Sequence, residues 1–314
     1  GARRTGGPCA AGSCDVCECV LMARPRIGIA LGSGSARGWA HIGVLRALQA
    51  AGLEPDIVCG TSIGAFVGAA YASGDLDGLE SWVRGLTRRE VLGYFDVTLA
   101  GGLIKGEKLL AYAAQSFLDN RFEQLSRPFA CVATDLASGR EVWLKEGDVA
   151  DAVRASIALP GLFAPHLIGD RHLVDGGLVN PVPVSLCRAM DADLVIAVDL
   201  GTDVVLQRYR QAEAGATRAN GWRRKVGRWL SGAKSDQAES NAFRPSLANV
   251  LANSIAIMQG RIARSRLAGE PADLLISPRL GQMGLLDYHR AEEAIAVGRQ
   301  ATEHMLPLLR GLLD

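Results

Sequence analysis

The sequence predicts an α/β protein in which a largely parallel sheet carries helices on its faces. Three observations lead there. Residues Arg26 to Leu31 form a short apolar run ending in glycines, as a strand buried on both sides does. Two strand–turn–helix units then follow one another at short spacing, which is the pattern of parallel pairing. The mixed order of strands and helices continues to the C-terminus, with no internal repeat and no composition break marking a second core.

Taken in order, the first strand enters the loop Gly32-Ser-Gly-Ser-Ala-Arg-Gly38. A helix follows with Trp39, Ile42, Val44, Leu45 and Leu48 on its apolar side, closed by Gly52. Asp56 to Gly60 reads as a second strand and Ser62 to Ala72 as a second helix. Further strands are expected at 129–134, 141–144, 172–174, 194–199 and 273–276, and helices at 149–158, 246–267 and 288–309.

Composition narrows the class. The chain has 314 residues, 48% hydrophobic and 21% charged, so it is no disordered polymer. Its 37 glycines, about 12% against a background of roughly 7%, lack the G-X-Y period of collagen. Lys plus Arg (34) and Asp plus Glu (33) leave a net charge of +1, which argues against a nucleic-acid partner. That balance hides a segregation. Residues 205–235 hold Arg208, Arg210, Arg218, Arg223, Arg224, Lys225, Arg228 and Lys234 against Glu213, with Trp222 and Trp229 interleaved. The stretch 205–245 is expected to be a basic insertion or loop. Either it is solvated, or its cations and interfacial tryptophans hold anionic headgroups in peripheral membrane contact.

Cys59, Cys131 and Cys187 sit in apolar stretches and read as buried free thiols of a reducing compartment, which places the protein in the cytoplasm. Cys9, Cys14, Cys17 and Cys19 crowd the start. Cys14 and Cys17 form one Cys-x-x-Cys pair, but the second pair of a zinc site is missing, so residues 1–21 are expected to be a disordered extension and no metal is expected. Residues 22–314 then form one domain. The 18 uncharged residues from Ile57 to Gly74, with Gly60, Gly64 and Gly68 at four-residue spacing, resemble a membrane span. Thr61, Ser62 and Ser73 interrupt the run, Asp56 and Asp75 bound it, and large aliphatics are few, so it is read as part of the folded domain.

The strongest chemical signal is Gly60-Thr61-Ser62-Ile63-Gly64. A Gly-x-Ser-x-Gly between strand and helix is a nucleophile elbow: the glycines permit a sharp turn that lifts the serine hydroxyl off the sheet edge. The helix start adds amides and a positive dipole. The loop Gly32 to Gly38 has two readings. As a dinucleotide fingerprint its third glycine would fall on Arg37, with Glu54 or Asp56 as the ribose acid. That reading makes the protein a non-catalytic or nucleotide-binding one that holds phosphate on the Gly32 loop. As part of a hydrolase, the loop's amides, kept open by Gly34, form an oxyanion hole.

A base for Ser62 is harder to find. His289 and His304, which fit the chain order of an α/β-hydrolase triad, fall inside an apparently regular helix. Asp175, at the end of the apolar strand His172-Leu-Val-Asp-Gly-Gly177, can serve as a base if it contacts the serine directly; Asp-Gly-Gly alone is an ordinary turn.

In order and spacing, Gly32-x-Gly34-x-x-Arg37-Gly38, Gly60-x-Ser62-x-Gly64 and Asp175-Gly176-Gly177 resemble the patatin-like phospholipases, in particular bacterial stand-alone members related to the catalytic domain of neuropathy target esterase. Trp39-Ala-His-Ile-Gly-Val44, Ala155-Ser-Ile-Ala-Leu-Pro-Gly161 with Phe163, and Val179-Asn-Pro-Val-Pro183 match as well, so the likeness runs from about Ile27 to Asp199. The resemblance implies a three-layer patatin-like fold, and hydrolysis of phospholipid, lysophospholipid or another acyl ester through an acyl-enzyme, without a cofactor. It implies Ser62 as nucleophile and Asp175 as base. It places the oxyanion hole on the loop of Gly32, Gly34, Ser35 and Arg37, in the amides around Gly34 and Ser35, with Arg37 bracing the loop. Plant members carry consecutive glycines where this chain has Ser33 and Ser35.

Overall fold

The computed structural model describes residues 24–94, 121–201 and 247–313. The four N-terminal cysteines and the basic stretch 205–235 lie outside the described residues. The strands are β1 (Ile27–Leu31), β2 (Ile57–Thr61), β3 (Phe129–Asp135), β4 (Glu141–Leu144), β5 (His166–Ile168), β6 (Arg171–Asp175), β7 (Leu194–Val198) and β8 (Leu274–Ile276). The helices are α1 (Ala40–Ala50), α2 (Ile63–Ser73), α3 (Leu76–Gly85), α4 (Arg88–Tyr94), α5 (Val149–Ser156), α6 (Val184–Ala189), α7 (Leu247–Gly269) and α8 (Ala291–Leu313).

One sheet runs in the order β5-β6-β3-β2-β1-β7-β8, with β4 also paired to β3. Strands β3, β2, β1, β7 and β8 are parallel, and β4, β5 and β6 join antiparallel at one end. The sheet is therefore mixed, with the expected parallel arrangement at its centre. Its two faces pack into different cores. Ile29, Leu31, Val58, Ile196 and Val198 pack one face into the same core as α1, α2 and α8. Ala30, Cys59, Ala130 and Ala197 lie on the other, with Val184, Leu186 and Cys187 of α6 and Ala263 of α7. Ile57, Val132 and Val195 are the larger strand side chains on that second face. All three central cysteines are buried free thiols, and burial pushes the Cys59 and Cys131 thiols up, so they stay protonated.

The uncharged run from Ile57 is the central strand β2 followed by α2. Every residue of α2 from Ile63 to Ala72 is buried in protein. No described helix is long and apolar enough to cross a membrane.

Several elements lie outside the expected set. The three-residue β5 is too short to show alternation. Helix α3 does carry a helical period, with Leu76, Leu79 and Val83 on its buried side, and is started by Asp75, whose carboxylate accepts from the Gly78 amide at 3.0 Å. His289 lies in a 3₁₀ turn (Tyr288–Arg290) ahead of α8, not inside the helix.

Helices α1 and α8 cross backbone to backbone. A methyl group at Gly43 would run into the Ile295 carbonyl, and one at Gly298 into the Ala40 carbonyl. Gly43→Ala is expected to cost about 1–3 kcal/mol, because the neighbour is backbone and cannot swing aside. Gly85→Ala, at the exposed end of α3 with open space around it, should be neutral or gain up to about 1 kcal/mol. Thermal unfolding of both variants checks the pair: equal melting temperatures would show that the α1–α8 crossing is not tight.

Candidate active site

The turn between β2 and α2 carries Ser62 at φ 57°, ψ −124°, a conformation that side-chain-bearing residues rarely adopt. Holding it costs about 1–3 kcal/mol, so the surroundings must impose it. They do so through small neighbours and two hydroxyls. At Gly60 any side chain would strike the Ala65 backbone, and at Gly64 the Leu31 carbonyl. The Ser62 amide donates to Ser156 Oγ at 2.9 Å, and that hydroxyl donates to the Val132 carbonyl at 2.7 Å. Thr61 Oγ1 donates to the Asn180 carbonyl at 2.9 Å.

Asp175 ends β6 beside this turn. Its carboxylate Oδ2 accepts from Ser62 Oγ at 2.5 Å and its Oδ1 from the Gly177 amide at 2.7 Å. Its own carbonyl accepts from Thr134 Oγ1 at 2.9 Å, and its amide donates to the Ala158 carbonyl at 3.0 Å. Gly176 is tight against the Val132 carbonyl, and Gly177 against the Gln259 amide of α7. Asp175 is fully buried, and that burial, against weaker opposition from its bonds to Ser62 and Gly177, pushes its carboxyl up to about 6.

The Gly32–Gly38 loop forms the other wall. Its amides are unequally committed. Gly32 donates to the Val198 carbonyl at 3.0 Å, Ser33 to Pro181 at 2.8 Å, Ala36 to Leu285 at 3.3 Å and Arg37 to Gly34 at 3.3 Å. The amides of Gly34 and Ser35 have no such partner among the described residues. The Arg37 side chain is buried and reaches back to the carbonyls of Gly34 (3.2 Å) and Leu200 (3.3 Å), bracing the loop from behind. Gly38 lies against Ile63 and Gly34 against Leu200, where larger residues would collide. A phosphate cradle needs a run of free amides, and the amides of Gly32 and Ser33 are already paired. Asp56 caps the Ile27 amide and pairs with Arg24, while Glu54 pairs with Arg127.

Ser62, Asp175, Gly34 and Ser35 meet at the floor of one open cleft of about 690 Å³. Trp39, Phe66, Ile157, Leu159, Phe163 and Ile255 give it an apolar wall. A smaller recess of about 310 Å³ adjoins it, sharing Ser33, Gly34, Arg37, Ala256 and Gln259 and adding Asp199. The histidines are occupied elsewhere or exposed. His41 is buried with Nε2 2.8 Å from the Gly32 carbonyl, and burial lowers it to about 4. His166 bonds Asp151, His289 accepts from Arg88, His304 lies against the Gln300 carbonyl and His172 is exposed.

Four residues of this arrangement carry no motif of their own, Thr134, Ser156, Gln259 and Tyr288, and Thr61 sits at a variable position of the elbow motif. Ser156 does lie in the stretch Ala155 to Gly161 that the family resemblance picks out, although its position there does not reveal a bond to Ser62.

Burying the Asp175 carboxylate has a price in stability that depends on pH. Between about pH 4 and 6 the folded chain keeps a proton that the unfolded chain has released, so stability falls as pH rises through that window. Asp175→Asn keeps the shape and removes the charge. At pH 8 it should melt higher than the parent, by at most about 3 kcal/mol in stability, and the gap should close by pH 4. Melting curves at the two pH values check this; a variant less stable at pH 8 would contradict it.

Comparison with known proteins agrees with this architecture. A family model described as patatin-like phospholipase matches residues 29–188. The chain is 35% identical over 323 residues to an NTE family protein of Mycobacterium bovis, covering 88% of this chain and 89% of that one. It is 31% identical over 291 residues to lysophospholipase NTE1 of Pyricularia oryzae, covering 90% of this chain but 18% of that one. It is 36% identical over 215 residues to patatin-like phospholipase domain-containing protein 6 of Mus musculus, covering 64% of this chain and 16% of that one. With the model matched over half its length and such identity along most of it, the chain belongs to the patatin-like phospholipases, and with them to the lipid ester hydrolases.

Proposed function

We propose that the protein is a lipid acyl hydrolase that cleaves carboxylic esters of the phospholipid or lysophospholipid type through Ser62 and Asp175, by way of an acyl-enzyme. The observation that carries this is the 2.5 Å hydrogen bond from Ser62 Oγ to the Asp175 carboxylate at the floor of an apolar-walled cleft. Ser62 gives its proton to Asp175 as Oγ attacks the ester carbonyl. The negative charge then forming on the carbonyl oxygen is received by the Gly34 and Ser35 amides and the positive end of α2. Collapse breaks the bond to the alcohol, which leaves with the proton from Asp175. Water then attacks the acyl-serine, Asp175 takes its proton and returns one to Ser62. The apolar wall suits the acyl chain, and the adjoining recess, where Ser33, Asp199 and Gln259 offer polar groups, suits the alcohol half. A base near 6 is ionised at neutral pH yet basic enough to accept a proton in the transition state.

The lysophospholipid option draws on the name of the fungal relative. In the chain itself, the stretch 205–235, rich in Arg and Lys with two tryptophans, supports peripheral contact with an anionic surface.

Hydrolysis of a short p-nitrophenyl ester and of a lysophospholipid tests the proposal. A fluorophosphonate should label Ser62, mapped by peptide analysis. Ser62→Ala and Asp175→Asn should each lose about 10³-fold or more in kcat while remaining folded. The parent's kcat/KM should rise with pH and level off above about 6, as Asp175 ionises. Undiminished turnover in Ser62→Ala would overturn the mechanism. For the membrane contact, sedimentation should show more protein on vesicles containing anionic lipid than on neutral ones at low salt, with the difference lost at high salt. Equal binding to both would rule it out.

A further inference from the structure

Ser35 is the one loop residue that combines a side chain with a left-handed backbone, at φ 51°. Glycine adopts that conformation freely and serine does not. Something must therefore hold it, and the holder lies 250 residues away. Ser35 Oγ is 2.7 Å from the Leu285 carbonyl and 2.9 Å from the Tyr288 hydroxyl. A carbonyl can only accept, so Ser35 donates to Leu285, and the Tyr288 O–H must be the donor to Ser35 Oγ. The Leu285 carbonyl takes the Ala36 amide as well, so both residues after Gly34 are tied to the same short segment.

That segment is itself fixed. Trp39 Nε1 donates to the Tyr288 carbonyl at 3.1 Å, and the two rings meet edge to face at 5.7 Å. The Asp287 carboxylate accepts from the Gly284 amide at 2.9 Å and from Arg290. Burial pushes the Tyr288 phenol up to about 12, so it remains a donor at any pH where the enzyme would work.

We propose that Tyr288 is a positioning residue: by donating to Ser35 Oγ it locks Ser35 in the left-handed backbone and so aims the Ser35 amide as an oxyanion donor. The inference rests on the hydrolase mechanism proposed above. It explains how a serine can hold a backbone conformation that glycine adopts freely. The Cβ makes the residue awkward, and the hydroxyl it carries secures it.

The test is a double-mutant cycle on a soluble p-nitrophenyl ester. Tyr288→Phe keeps the ring against Trp39 and removes the donor. It should lower kcat about tenfold, with KM within about twofold, because the loss falls on the transition state. Ser35→Gly needs no lock, so in that background Tyr288→Phe should change kcat less than about twofold. Rates of fluorophosphonate labelling should follow the same pattern, and melting temperatures show that each variant is folded. An unchanged kcat in Tyr288→Phe would overturn the proposal, as would an equal loss of kcat in both backgrounds or a loss confined to the melting temperature. A wild-type protein that neither hydrolyses the ester nor takes the label would overturn the hydrolase mechanism, and this inference with it. An active parent with no coupling between the two positions overturns this inference alone.

Discussion

At Ser62 the chain adopts a backbone conformation that no side-chain-bearing residue prefers, and much of the molecule is arranged around that turn. The hydroxyl clears the sheet edge only because the strand stops at Thr61 and the helix starts at Ile63, with no residue left over for a relaxed loop. Gly60 and Gly64 are excluded from being anything larger by contacts with Ala65 and Leu31. Ser156 takes the amide that the sharp turn would otherwise leave unpaired. The consequences extend to the sheet. Its centre must be parallel so that the ends of β2 and β1 lie side by side, which brings the Gly34 loop next to Ser62.

The same geometry forces a conflict at Asp175. To reach Ser62 Oγ directly, the carboxylate must sit inside the protein, where its charge is poorly solvated. One hydrogen bond from a hydroxyl and one from an amide do not offset that burial, and the pKa rises accordingly. A basic carboxylate and a stable fold pull in opposite directions at this residue. Natural sequences tolerate such conflicts where chemistry requires them. No histidine relieves it, since His41, the buried one, is committed to the Gly32 carbonyl.

How much of this is legible in the sequence depends on whether a feature leaves a local mark. Strands β1, β2, β3 and β7 are buried on both faces and stand out as apolar runs, and the elbow announces itself because glycines are needed on both sides of one serine. The Asp175–Ser62 adjacency leaves no periodic trace: an Asp-Gly-Gly turn reads the same wherever it lies, and only its order among three motifs singles it out. The commitment of individual amides is invisible in the same way. Gly32 and Arg37 belong to the loop by sequence, yet their amides are spent on Val198 and Gly34. Helix α3 also leaves a local mark, with Leu76, Leu79 and Val83 at helical spacing behind the Asp75 cap, although the expected helices do not include it.

The least legible part of the site comes from the last third of the chain. The family model ends at residue 188, but Ile255, Gln259, Leu285 and Tyr288 all line the cleft. Their contributions are a wall, an amide beside Gly177, a backbone carbonyl and a phenol, and none of these needs a particular neighbour in sequence. A motif arises where several residues must cooperate within one turn. A carbonyl that accepts from Ser35 can be supplied by any residue whose backbone passes at the right place, so selection acts there on the path of the chain. The N-terminal two-thirds therefore carries Ser62, Asp175 and the Gly34 loop with a recognisable signature. The C-terminal segment closes the cleft over them through packing and backbone contacts, and only the folded chain displays its part.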